Sequence, residues 1–225
     1  DNLKTFYVGN TNIMKEDEKK RILKKYNEDV LPINLVKDIY KENEKLTDKI
    51  KSEVFQMANG ELVAIIKNDN KQVVDLDINV EFYDENNQFI KEAEEFAFGV
   101  GAGKEVAVSF YDTPENFATY KLYADANKGY AITFYDKVEL THSNNGENIL
   151  VQVKNNSGTV IDSMEVAVVY YKDGKAIGYD YDLESSVKAD RSANFELDYP
   201  TDKNYREIPF DTYKVFLNSA ESYQN

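Results

Sequence analysis

The chain repeats itself, and this limits its fold more than any other feature. The stretch ELVAIIKNDNKQVVDLDINVEFYDENNQFI, beginning at Glu61, returns as ENILVQVKNNSGTVIDSMEVAVVYYKDGKAI, beginning at Glu147. Lys67-Asn68 matches Lys154-Asn155, and Val73-Val74-Asp75 matches Val160-Ile161-Asp162. After a one-residue slip, Leu76, Ile78, Val80 and Phe82 match Met164, Val166, Val168 and Tyr170. Upstream, KSEVFQMANGE from Lys51 matches KVELTHSNNGE from Lys137; at the far end Thr119-Tyr120-Lys121-Leu122 matches Thr212-Tyr213-Lys214-Val215. Apolar residues alternate along both copies, the period of strands with one buried face.

Strands are expected at 51–57, 62–68, 73–84, 88–97, 104–111 and 117–125, and again at 137–143, 149–155, 160–172, 175–185, 191–198 and 210–218, divided by Asn, Asp and Gly clusters. Short strands at this spacing describe an immunoglobulin-like sandwich, and no helical period separates them, which excludes parallel α/β folds. The expected fold is mainly β: two tandem immunoglobulin-like (fibronectin III-like) antiparallel β-sandwiches preceded by an N-terminal helical segment. The expected domains are 1–50 (strand plus helical segment), 51–136 (first sandwich) and 137–225 (second). Between the sandwiches, a small polar interface near Tyr130–Lys137 with hinge motion is the default expectation.

Within the first 50 residues, 2–10 read as a short strand and 15–27 as a helix with acids early and bases late, the order the helix dipole favours. Pro32 interrupts it, and a second helix capped by Asn34 runs to about Lys51 with Leu35, Ile39, Leu46 and Ile50 on one stripe. About two heptads are too few for a sustained coiled coil, so the stripe is expected to pack on the first sandwich or on the other helix.

Composition narrows the function classes. The chain has no cysteine, which removes disulfides, zinc–thiolate sites and thiol nucleophiles. Its net charge of −14 is uneven: residues 1–50 carry 11 basic and 10 acidic side chains, leaving 16 basic and 31 acidic on the repeats. Such a surface repels phosphate backbones and anionic lipid, so no nucleic-acid partner is expected. No run approaches the roughly 18 apolar residues of a membrane helix. No signal-like region precedes Asp1, and the expectation is that a signal has been removed.

The run Val153-Lys154-Asn155-Asn156-Ser157-Gly158, the alternating strand to Tyr170-Tyr171 and the hairpin Lys172-Asp173-Gly174-Lys175 resemble the FxLYD-type family of bacterial extracytoplasmic β-sandwich domains. The resemblance covers both repeats but not the first 50 residues. It implies a sandwich fold, a place outside the membrane in a lipoprotein or cell-surface protein, and no catalytic function. The chain departs from the family pattern at two turns: Val100-Gly101-Ala102-Gly103 becomes Val187-Lys188-Ala189-Asp190 in copy two, and the hairpin Asp-Gly becomes Asn86-Asn87 in copy one. Each exchanges Gly with a turn-tolerant Asp or Asn.

No residue set assembles a catalytic constellation. Gly99-Val100-Gly101-Ala102-Gly103-Lys104 suggests a phosphate loop, but Phe98 stands where the first Gly belongs, Glu105 replaces Ser or Thr, and a strand follows. It reads as a turn between strands. His142, the sole histidine, corresponds to Gln56 and reads as an exposed strand position. Asn68-Asp69-Asn70, Asp84-Glu85-Asn86-Asn87 and Asn144-Asn145-Gly146-Glu147 lack calcium-loop spacing and read as Asx turns, with a weak calcium site between the modules left open and no other cofactor expected.

Phe-Tyr-Asp occurs at 82–84, 110–112 and 134–136, with Phe expected in the core and Tyr outside. Tyr83, Tyr111 and Tyr135, with Tyr171 at the place in copy two that matches Tyr83, are the candidate ligand-contacting aromatics, through stacking on sugar rings or anchoring a protein. The sequence reading is a non-catalytic, extracytoplasmic binding or spacer protein, with a protein or surface glycan as partner and a lipid anchor outside this chain. A scaffold acting through its helical arm is the alternative, and a carboxylate-dependent hydrolase the remote third.

Overall fold

The structure is a computed structural model and describes residues 41–223. The strand and first helix expected before residue 41 lie outside the described residues. Helical conformation covers 41–47 and strand begins at Ile50, so the second helix ends about one turn before its expected limit. From Leu46 onward the chain forms one compact unit. Leu46 is buried in the first core, with Ile50 against it, so this end of the stripe packs on the first sandwich.

Copy one supplies β1 (Ile50–Gln56), β2 (Leu62–Asn68), β3 (Val74–Tyr83), β4 (Phe89–Val100), β5 (Glu105–Phe110) and β6 (Thr119–Lys128). Copy two supplies β8 (Val138–Asn144), β9 (Asn148–Asn155), β10 (Ile161–Lys172), β11 (Lys175–Val187), β12 (Ser192–Asp198) and β13 (Thr212–Ser222). Between them lie β7 (Ile132–Thr133) and a 3-10 turn, Tyr135–Lys137. Copy one pairs its strands as β1-β2-β5 and β4-β3-β6; copy two repeats this as β8-β9-β12 and β11-β10-β13, with β7 added beside β13. All twelve strands expected in the repeats form, within a few residues of their expected limits. The one unforeseen strand among the described residues, β7, has two residues and exists only through its pairing with Glu221 and Ser222.

Each copy closes its own core. Leu62, Ile66, Leu76, Ile78, Phe82, Val106 and Phe110 fill the first; Ile149, Val153, Met164, Val166, Tyr170, Phe195 and Leu197 fill the second. Asn68 and Asn155 are fully buried and perform the same task in both. The Asn68 amide donates to Gln72 O (2.9 Å) and Val100 O (2.9 Å), and that of Asn155 to Thr159 O (2.8 Å) and Val187 O (2.9 Å). One side chain thus ties two loops that would otherwise bury unpaired carbonyls. The turn substitutions between copies also keep their backbone: Gly103 has φ +72° and its counterpart Asp190 φ +60°, both left-handed.

The expected small polar interface near Tyr130–Lys137 is not what joins the copies. A third apolar cluster, Met57, Val63, Ala107, Ala167, Val169, Ala176 and Phe216, lies between the outer face of β1-β2-β5 and the outer face of β11-β10-β13. Four sheets therefore stack in the order β4-β3-β6, β1-β2-β5, β11-β10-β13 and β8-β9-β12. The physical reason is in the outward positions. β10 presents Ala167 and Val169 where β3 presents Asn79 and Glu81, and β5 presents Ala107 where β12 presents Asn194.

Polar bonds fix the register of this seam. A bulge in the β10–β13 pairing leaves Asn218 outside the ladder. Its side chain then pairs with Ala107 as a strand would, accepting from Ala107 N (2.9 Å) and donating to Ala107 O (2.8 Å). Tyr179 Oη donates to the same carbonyl (3.1 Å), Ala58 N donates to Ile177 O (3.0 Å), and Lys214 Nζ lies 2.5 Å from Glu105 Oε2. An apolar centre with a polar rim of this kind opposes the hinge expected from sequence.

Candidate functional site

The seam leaves recesses along β4, an edge strand paired only with β3. Phe96 and Phe98 alternate out of that strand; each is 52% exposed, and their rings stack in parallel at 6.1 Å. After Ala97 the β3–β4 register slips, and Gly99 adopts φ +62°. Gly99 N–H donates to Asp75 Oδ1 (2.8 Å), and a Cβ at this residue would collide with the Glu221 carboxylate. Only glycine provides both the backbone conformation and the space.

One recess of about 160 Å³ is walled by Phe96, Phe98, Leu183 and Tyr223 and floored by Glu165, Asn218 and Glu221. A second, about 260 Å³, adjoins it through Phe98 and Tyr223 and adds Asp75, Tyr130 and Ala131. A third, about 450 Å³, lies farther along β4 between Glu92–Glu95 and Phe110–Asp112.

The floor is acidic and buried. Glu221 is 3% exposed; its Oε1 accepts from Tyr223 Oη (2.6 Å), while Oε2 is buried with no hydrogen-bond partner among the described residues. Burial raises its pKa, opposed by the Tyr223 hydrogen bond and reinforced by Asp75 and Glu165. Burial also raises Glu165, against a hydrogen bond from Asn218, and raises Asp75, against the Gly99 amide. Glu95 is raised by burial and then by Glu165. These carboxyls share one cause, removal from water, to which like charges add at Glu221 and Glu95. Among the described residues, no group of three or more His, Asp or Glu is arranged to hold a metal ion.

The four tyrosines singled out from sequence do not converge. Tyr111 is 58% exposed, lines the recess of about 450 Å³, and its ring lies 6.2 Å from that of Tyr181. Tyr83 is half-buried on β3, bonded to Glu81 with Lys121 Nζ 4.6 Å over its ring. Tyr135 is half-buried in the 3-10 turn rather than on a strand, donating to Asn218 O (2.7 Å). Tyr171 packs against the seam cluster. His142 is exposed as expected, with Nδ1 3.2 Å from Tyr213 Oη. Residues 101–104 form a turn between β4 and β5, and Lys104 Nζ faces Asp136 (3.4 Å).

Phe96, Phe98 and Leu183 were missed by the sequence reading. The signal was there: all three are apolar residues on the phase of β4 or β11 whose neighbours are Glu94, Tyr181 and Ser185.

No family model matches the chain, and no curated protein matches it. Among solved structures, the crystal structure of red sea bream transglutaminase is similar over 86% of this chain and 30% of that one, at 10% identity and a TM-score of 0.23. The chain thus spans under a third of that protein's length, and so loose an overlay carries no argument about fold or chemistry. The mainly β, immunoglobulin-like reading rests on the sheets themselves.

Proposed function

We propose that the chain is a non-catalytic, extracytoplasmic binding protein of the FxLYD type, with the seam along β4 as its binding surface. The observation that carries this reading is the line of exposed aromatics, Phe96, Phe98, Tyr130 and Tyr223, beside recesses that exist only where the two sandwiches dock. Phe96 and Phe98 stand on β4, Tyr130 and Tyr223 just beyond the ends of β6 and β13, and aromatic rings with few torsions lose little conformational entropy on binding. The acidic repeats favour a ligand that is neutral or cationic. The V-K-N-N-S-G turn and its Lys67-Asn68 counterpart support the family name, since both asparagines hold the same loops.

The reading is tested on the full chain. The native protein should fractionate outside the cytoplasm, and purified protein should bind intact cells of its source saturably. The double variant Phe98→Ala/Tyr223→Ala should lose that binding while keeping its far-ultraviolet circular dichroism and a cooperative urea transition. A cytosolic native protein, or binding unchanged in the double variant, overturns it.

A further inference from the structure

Resting on that reading, the seam also specifies the chemistry of its ligand. We propose that the paired recesses at Phe98 and Tyr223 bind the side-chain ammonium of a lysine carried on an extended segment of a partner protein.

Three observations lead there. The walls are aromatic: Phe98 and Tyr223 border both recesses and Tyr130, 78% exposed, borders one. Ring faces attract cations, and Tyr130 already has Lys128 Nζ 5.7 Å from its centroid. The floor is anionic: Asp75, Glu165 and Glu221 line these recesses, and no lysine or arginine does among the described residues. Finally, Glu221 is 3% exposed with Oε2 unpartnered, an arrangement that costs free energy unless something cationic compensates it. Burial raises the pKa of all three carboxyls, and an ammonium bound beside them would lower it. A neutral sugar would satisfy the rings but not the carboxylates.

The occupant is a peptide rather than a free amine because of what lies alongside. Recesses of about 160 and 260 Å³ hold little more than an alkylammonium stem. β4, whose outer edge is unpaired, runs from them toward the third recess at Glu92–Glu95. An edge strand beside a side-chain pocket is the arrangement used when an extended segment adds to a sheet, main chain on the edge and one side chain in the pocket.

The test titrates the ¹⁵N-labelled full chain with the peptide acetyl-Ala-Val-Lys-Val-Ala-amide and follows the Gly99 amide, which donates to Asp75 at the residue where an added Cβ would meet the Glu221 carboxylate. The peptide should shift it saturably, and the norleucine analogue should bind about tenfold more weakly or worse, the loss of one charge-assisted contact. Glu221→Gln should remove most of that difference. Phe98→Ala, at an exposed site that leaves the fold intact, should weaken the lysine peptide. Equal binding of the norleucine analogue would overturn ammonium recognition while leaving the seam as a binding surface. Butylammonium chloride matching the peptide would overturn the peptide source. No shift with any probe would overturn the proposal outright, whereas the seam reading itself fails only if cell binding survives Phe98→Ala/Tyr223→Ala.

Discussion

Copy one and copy two share their inner faces and exchange their outer ones. Leu76, Ile78, Val80 and Phe82 face one core as Met164, Val166, Val168 and Tyr170 face the other. Outward, β3 shows Asp77, Asn79 and Glu81, while β10 shows Glu165, Ala167 and Val169. The first sheets differ in the opposite sense: β2 and β5 show Val63, Ile65 and Ala107, where β9 and β12 show Leu150, Gln152 and Asn194. Each copy therefore has one apolar outer face, on opposite sheets, and the two are buried on each other. The polar outer faces end the stack at both sides. Duplication supplied the sandwich, and divergence at alternate positions made it a pair with a defined orientation.

The largest effect should follow from the residue that most separates the two outer faces. Phe216 is buried in the seam and its counterpart Tyr123 is 44% exposed. Phe216→Ala should cost about 3–4 kcal/mol in urea unfolding, and Tyr123→Ala should stay within about 0.5 kcal/mol. Equal losses would mean the faces do not differ as described.

Next in size is Asn218, which aligns with Asp125 of copy one. Asn218→Asp removes the amide that serves Ala107 O and Glu165 Oε1 and adds a like charge. The expected cost is about 2 kcal/mol at neutral pH. Asp125→Asn should be near neutral, and a matching loss there would break the contrast.

A smaller difference concerns Asp180, which stands where copy one has Ala93. Burial pushes its carboxyl up to about 6, with Asp198 and Asp182 adding to it and two backbone N–H groups opposing it. A folded pKa above the unfolded one gives stability that is present in acid and lost as pH rises through about 6. Asp180→Asn should therefore stabilise the protein at neutral pH, with the gain vanishing toward about pH 4. A gain independent of pH would place its cause elsewhere.

The smallest effect is at the left-handed turn. Gly103→Ala should cost about 1 kcal/mol, while Asp190→Gly should change stability by less than about 0.5 kcal/mol, because Asp tolerates this conformation where Ala does not. Thermal unfolding of the two variants reads the difference.

The strands and both cores were legible because alternation with period two, repeated in a second copy, leaves one register that buries the inward apolar residues of both copies. The turns were legible because Asn, Asp and Gly tolerate the left-handed conformations they require. The docked face was legible only in part. Ala167 and Val169 stand out when set against Asn79 and Glu81, but read along one strand they merge into the run Val166–Tyr171, which is apolar throughout. β7 left no trace, since two residues carry no period. The seam aromatics escaped because attention fell on the repeated Phe-Tyr-Asp, whereas Phe96 and Phe98 occur once and gain meaning only when Leu183 and Tyr223 arrive from copy two.

The two sandwiches are held as one body by the face that Val63 and Phe216 share. Residual dipolar couplings of backbone amides in the weakly aligned full chain test it most directly. Couplings from residues 50–128 and from residues 138–222 should fit a single alignment tensor of one magnitude and orientation. Two tensors of different magnitude would show that the copies reorient independently, and the docked seam would be contradicted.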